Sequence, residues 1–315
     1  MIRLGLFAAG VWLGERLPGP LLFGLARLVA LVLSAIPSAP RARLRRNLAV
    51  VLGVAPRSPV LRRYLREAYQ TQVANYVDLL RSRTIAPAAA AQGVIPGGEG
   101  WASFERAVAE KRGLVLVTAH FGRIELMTHF LGNRGVHLTL PVERLQPPAL
   151  FDLLCRLRQR PTFTLVAADL GLRPCLRAIG RGEVVTLFAD WDSTGHGVAV
   201  EFFGRPARLP AGPALLALRT GAPLIVGFSL PDGPLGADGT PGRRRAVLEP
   251  PLLVERSGDF AADVQRATQM MAGVLERYIR QYPGQWVMFH DIWREPAQST
   301  AALACTAGRE HRARH

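Results

Sequence analysis

The stretch LVLVTAHFGRIELM, residues 114–127, decides how the rest of the chain is read. Its first five residues form the short apolar run of a buried strand. His120, Gly122 and Glu125 follow at once. In an open α/β sheet, ligands gather outside the carboxyl ends of the strands. His120 lies two residues past such an end, and Gly122 permits a sharp turn into a helix that begins near residue 123. Glu125 then falls in or near the first turn of that helix. On a continuous helix, residues five apart diverge by about 140°, but a turn between them lets the two side chains converge. A carboxylate on one imidazole nitrogen fixes the tautomer and leaves the other nitrogen as a general base. Free N–H groups at the helix start suit an oxyanion or a phosphate. A His and a Glu near a strand end are structural more often than catalytic, so spacing alone leaves both readings open.

Outward from this stretch, strands are expected at 136–140, 163–167, 184–188, 198–203, 223–229 and 245–249. They alternate with expected helices at 147–159, 173–181, 211–220 and, longest, 259–282. Such alternation predicts an α/β fold with a mainly parallel central sheet flanked by helices. IPGGEG (95–100) reads as a break in the pattern, followed by a helix over 101–111. Residues 60–80 place Leu61, Leu65, Ala68, Tyr69, Val73 and Tyr76 at helical spacing. The organisation expected is apolar membrane-associating helices over 1–40, one α/β domain over 41–300, and a disordered basic tail over 301–315.

The 315 residues carry a net charge of +15, almost all of it from arginine, with Lys111 the only lysine. A field this positive favours an anionic partner such as nucleic acid, a lipid headgroup surface or a phosphorylated cofactor. The basic runs at 41–46, 243–245 and 309–314 are dispersed and lack the interleaved aromatics of a base-stacking platform, which argues against nucleic acid. Three cysteines are too few for a disulfide framework or zinc cluster and fit a reducing cytoplasm. His129 and His137 do not pair with His120 at a ligand spacing, so no metal site is expected.

LPGPLLFGLARLVALVLSAIP (17–37) has the length of a bilayer span, roughly 20 residues. Arg27 sits near its middle, at a cost of about 2.5–3.5 kcal/mol for insertion. Lying in the interface is therefore as good a reading as spanning. RARLRRNL (41–48) follows with four arginines, and the two segments together read as attachment to an anionic cytoplasmic leaflet. A hydrophobic helix hairpin packed on its own domain is the alternative.

A second block, LFADWDSTGHGVAVEFFGRPARLPAGPALLALRTGAPLIVGFS (187–229), joins an acidic triplet, a Gly-rich loop and Glu201 directly before FFGRP. LRRNLAVVLG, VERLQPPALFDLLCRLR and YIRQYPGQWVMFHDIW stand in order around it and HFGRIE. In that order these blocks resemble the late lipid A acyltransferases and their relative, the phosphatidylinositol mannoside acyltransferase. Both lie within the glycerolipid acyltransferases that carry His-x4-Asp/Glu. The wording of the second block is closer to the mannoside branch.

The resemblance implies a membrane-associated enzyme on the cytoplasmic face of the inner membrane, peripheral or anchored through its N-terminus. It would move an acyl group from acyl-CoA or acyl carrier protein to a hydroxyl of a glycolipid, with no cofactor and no covalent intermediate. The acceptor would be phosphatidylinositol mannoside-like or lipid A precursor-like. His120 would be the general base. Glu125 fills the acidic position of the motif and Glu201 that of the mannoside branch, which leaves two candidates to orient His120. Arg158, Asp190 and Arg205 fall at family positions expected to hold substrate or acyl donor. Arg123 and Ile124 replace the family's usual Asn and Trp, and Arg123 is placed to bind a phosphate of the acceptor or carrier. A lysophospholipid acyltransferase, a thioesterase of the same fold, and a non-enzymatic basic lipid- or nucleic-acid-binding protein are the competing readings.

Overall fold

The chain enters through the helices α1 (Ile2–Arg16), α2 (Gly19–Ala35), α3 (Ala39–Leu52) and α4 (Leu61–Leu80). Strands and helices then alternate: β1 (Val94–Gly97), α5 (Trp101–Ala109), β2 (Leu114–Thr118), α6 (Ile124–Asn133), β3 (Leu138–Val142), α7 (Pro148–Arg158), β4 (Phe163–Ala167), α8 (Arg173–Gly180) and β5 (Val184–Phe188). A hairpin of β6 (Val198–Phe202) and β7 (Arg205–Leu209) precedes α9 (Gly212–Thr220), β8 (Leu224–Pro231), β9 (Arg244–Leu248) and α10 (Phe260–Gln281). This computed structural model describes residues 2–84, 93–233 and 242–293. The expected basic tail, 301–315, lies outside them.

Among the described residues the central sheet has seven strands in the order β1-β9-β8-β2-β5-β3-β4. β8, β2, β5, β3 and β4 run parallel, whereas β9 pairs antiparallel with β8 and carries β1 beside it. The expected mainly parallel α/β sheet is therefore what the chain forms. β2 lies between β8 and β5, and side chains alternate faces along it. Val115, Val117, Ala119 and Phe121 enter one apolar cluster with residues of α8, α9 and α10. Leu114 and Leu116 enter another with residues of α5 and α6. Covered on both faces, the strand is continuously apolar, as buried parallel strands are. Full burial of each such side chain contributes about 1.5–3 kcal/mol.

The pairing register of β2 and β5 sets up everything that follows at their carboxyl ends. Leu114 faces Val184 and Thr118 faces Phe188, a constant offset along the pair. The ladder continues one step beyond both strands, where the Ala189 N–H donates to the Thr118 carbonyl at 3.0 Å. Position 120 is thereby brought opposite position 190.

Two strands depart from expectation. β1 falls inside the stretch read as leading into a break, and β7 inside RPARL. Both are short, lie at a sheet edge and contain proline, which an edge tolerates because its N–H side need not join a ladder. β6 and β7 are joined through Phe203 and Gly204, both at positive φ, as a two-residue hairpin turn requires.

The arginine-rich 41–46 is the first half of a helix and not a free basic strip. α3 buries Leu44, Asn47, Leu48 and Val51, Asn47 Nδ2 donates to the carbonyls of Met288 and His290, and Arg43 and Arg46 face Asp291. α2 buries Leu22, Phe23 and Ala26 against Val73 and Val77 of α4. Its other side leaves Leu21, Leu25, Leu28 and Val32 between 44% and 59% exposed. The apolar segment thus packs on its own domain along one stripe and exposes leucine and valine along the rest. Among the described residues no single helix is long and apolar enough to cross a membrane, although α2 and α3 meet that length and composition together across an 83° bend.

Candidate active site

Two residues beyond β2, the backbone from His120 to Gly122 is held by the chain's C-terminal segment. The Val287 N–H donates to the His120 carbonyl and the Gly122 N–H to the Gln285 carbonyl, both at 2.8 Å. From α4, Asn75 Nδ2 donates to the Gly122 carbonyl at 2.7 Å. Gly122 has φ +66°, and a Cβ there would lie 2.1 Å from the Ser229 carbonyl oxygen. Only glycine makes this turn.

The strand register delivers Asp190 to His120. Asp190 Oδ1 lies 2.9 Å from His120 Nδ1, and Oδ2 accepts from the His120 N–H and from Trp286 Nε1–H, both at 2.9 Å. The carboxyl is wholly buried. Burial alone would raise its pKa, but His120 and the donated hydrogen bonds outweigh that and hold it below the usual carboxylate range. An ionised Asp190 fixes the proton of His120 on Nδ1 and leaves Nε2 as the basic nitrogen. Burial pushes the imidazole down, and the charge and hydrogen bond of Asp190, with a smaller contribution from Glu143, more than reverse it, so its pKa lies above the ordinary value. Phe188 stacks on the imidazole with ring centroids 4.2 Å apart, which fixes its second face.

His120 stands where two cavities meet. One, of about 510 Å³, is walled by residues including Glu143, Phe151, Leu154, Leu172 and Trp191. The other, of about 240 Å³, lies against Asn75, Tyr76, Glu125, Thr128 and Thr186. His120, Pro141, Val142, Arg158 and Phe188 line both.

The other expected site residues are distributed differently from the expectation. Glu125, the motif's acid, does not reach His120. Its carboxylate accepts from Arg158 Nε at 3.0 Å and from Arg158 Nη2. Burial lowers the Arg158 pKa, and Glu125 more than offsets it, for a net rise. Helix α6 starts directly after the Gly122 turn, and its first turn points Glu125 at α7. Glu201 is exposed on β6, with its backbone N–H and carbonyl both bonded to the Gln269 side chain, and lines neither cavity. Strand alternation turns it outward. Arg205 opens β7 on the exposed hairpin, also away from both cavities. Arg123 is buried and forks onto Asp78 of α4, with Nε 2.8 Å from Oδ2, so it does not project toward His120. Asp190, expected to hold substrate, lines neither cavity and touches His120 itself. Arg158 does line both cavities.

Three residues escaped the sequence reading. Asp78 carries no motif signal, and Trp286 lies in the YIRQYPGQWVMFHDIW block with nothing to single it out as a partner of the site. Glu143 follows β3, the strand next to β5, and the same carboxyl-end rule that singled out His120 applies to it. Among the described residues no group of three or more His, Cys, Asp or Glu could hold a metal ion.

A histidine–aspartate pair past the central parallel strand thus stands at the junction of two cavities on an α/β scaffold. The chain belongs to the family of bacterial lipid A biosynthesis acyltransferases, matched over residues 2–295, and is an acyltransferase. It is 31% identical over 265 residues to a phosphatidylinositol mannoside acyltransferase of Mycobacterium tuberculosis strain H37Rv, covering 80% of this chain and 76% of that one. A protein of the same name from Mycolicibacterium smegmatis is 29% identical over 265 residues, covering 80% and 79%.

Proposed function

We propose that this protein transfers a fatty acyl group from an acyl thioester, carried by coenzyme A or acyl carrier protein, to a hydroxyl of a glycolipid. The acceptor is of the phosphatidylinositol mannoside kind, the reading favoured by the names of the relatives and by the VEFFG block. A lipid A precursor is the alternative that the family name supports.

The observation that carries the mechanism is the placement of His120, with Nδ1 held by a buried aspartate and its ring at the junction of two cavities. His120 Nε2 takes the proton of the acceptor hydroxyl as its oxygen attacks the thioester carbonyl. The C–O bond forms, the C–S bond breaks, and the departing thiolate takes the proton back from the imidazolium. No acyl-enzyme is needed. Asp190 stabilises the imidazolium and fixes the tautomer. Two cavities that share one base suit two substrates, the acyl thioester in one and the glycolipid head in the other. The Glu125–Arg158 pair, which lines the smaller cavity and reaches the larger, shapes the junction between them.

The exposed apolar side of α2 and the neighbouring arginines support attachment to an anionic leaflet, on the cytoplasmic side where acyl thioesters are made. Transfer of labelled acyl groups from acyl-CoA to extracted glycolipid, with wild type and His120→Ala, tests the proposal. Full transfer by His120→Ala would overturn it.

A further inference from the structure

A third cavity, of about 220 Å³, shares no lining residue with the two at His120. Arg244 of β9 lines it, and that side chain is only 6% exposed. Its guanidinium donates to neutral acceptors alone: Ser229 Oγ at 3.2 Å, the Ser229 carbonyl at 2.5 Å and Gln285 Oε1 at 2.8 Å. Among the described residues no carboxylate pairs with it. Asp78, which acts on it through space, is already forked by Arg123. Burial, and then the charge of Arg123, push the Arg244 pKa down to about 9. The group remains a cation at neutral pH, held where a second cation opposes it. A buried charge of this kind is costly unless an anion meets it.

The cavity wall adds more positive charge. Arg27, Arg123 and Arg243 line it beside Arg244, Arg123 paired with Asp78 and Arg243 Nη2 3.9 Å from Asp232 Oδ2, while the one lining carboxylate, Glu67, bonds Arg63. Arg27 is the residue that interrupts the apolar helix α2. Phe23 and Ala26 of the same helix complete that wall, and the Arg123 guanidinium lies over the Phe23 ring at 5.4 Å. The adjoining α2 positions Leu21, Leu25 and Leu28 are exposed. A lipid with its chains along that apolar side would set its phosphate level with Arg27. Guanidinium forks are the side-chain groups best matched to phosphate oxygens.

We propose that the Arg27–Arg243–Arg244 cavity binds the phosphate group of a membrane lipid headgroup, at a site separate from the two cavities at His120. The proposal rests on the membrane-attached reading above, and it gives a function to the arginine that breaks the apolar segment.

The test uses the full chain in vesicle flotation. Vesicles of phosphate-free galactosyl diacylglycerol are compared with the same vesicles containing phosphatidylinositol, and inorganic phosphate serves as the soluble probe. Phosphatidylinositol is expected to raise retention of the wild type. Arg244→Gln and the rim variant Arg27→Ala/Arg243→Ala are each expected to lose roughly tenfold of that affinity, the order of one or two charge-assisted contacts. The rim variant stands if the buried substitution misfolds. The charge-matched control Arg173→Ala/Arg177→Ala, at exposed positions of α8, is expected to keep wild-type retention. His120→Ala is expected to lose transfer yet keep retention, which separates failure of this proposal from failure of the catalytic one. Equal retention by the wild type and the rim variant would overturn the proposal. So would equal loss in the control, or stabilisation by inorganic phosphate with no response to phosphatidylinositol.

Discussion

His120 and Glu125 leave the same strand five residues apart and enter different ion pairs. His120 meets Asp190, whose carboxyl is wholly buried and takes three hydrogen bonds. Glu125 meets Arg158, whose side chain stays 31% exposed. Closeness along the chain does not make the pair. The register of two parallel strands does, because it puts the residue two past β2 opposite the residue two past β5. The His120 ring is therefore tuned by a group that lines neither of its two cavities, while the motif's acid is spent on the wall of one.

Substitutions that remove one side of this contrast and keep the other test it. His120→Ala is expected to lower acyl transfer by about 10³–10⁴-fold, the upper range for a positioned base, as read in a thioester-release assay with acceptor present. Asp78→Asn strands Arg123, in a pair whose side chains are 9% and 2% exposed. It is expected to cost about 3–5 kcal/mol of stability, seen as a lower urea midpoint. Asp190→Asn is expected to cost ~10²-fold in kcat/KM and to move the acid limb of the pH profile. The proposed base works when neutral, so activity is expected to fall as pH drops through the His120 pKa, which lies above the ordinary 6.5. Without the aspartate charge, burial favours the neutral ring and the limb moves to lower pH. Glu125→Gln leaves a partly solvated Arg158 and is expected to cost only about 1–2 kcal/mol of stability, with no movement of the acid limb. Glu201→Ala is expected to shift stability by less than ~0.5 kcal/mol and to leave transfer unchanged.

The sheet was largely legible because its strands are short apolar runs between breakers. β4 and β5 fall at the expected 163–167 and 184–188. β1 and β7 escaped because Pro96 and Pro206 punctuate edge strands that have little core to show. His120 was legible through its position past a buried strand. Its partner was not, since pairing across seventy residues depends on which strands are neighbours, and alternation of elements does not give strand order. Arg123 looked available because it is charged and adjacent to the base. Its burial follows from Asp78 on α4, a packing relation that no local pattern carries.

The partnership of His120 with Asp190 is tested most directly by NMR titration of the His120 ring in the wild type, Asp190→Asn and Glu125→Gln. The expected result is a pKa above 6.5 in the wild type, a fall in Asp190→Asn, and no change in Glu125→Gln. A pKa that falls in Glu125→Gln and holds in Asp190→Asn would contradict the pairing and return the orienting role to the motif's own acid.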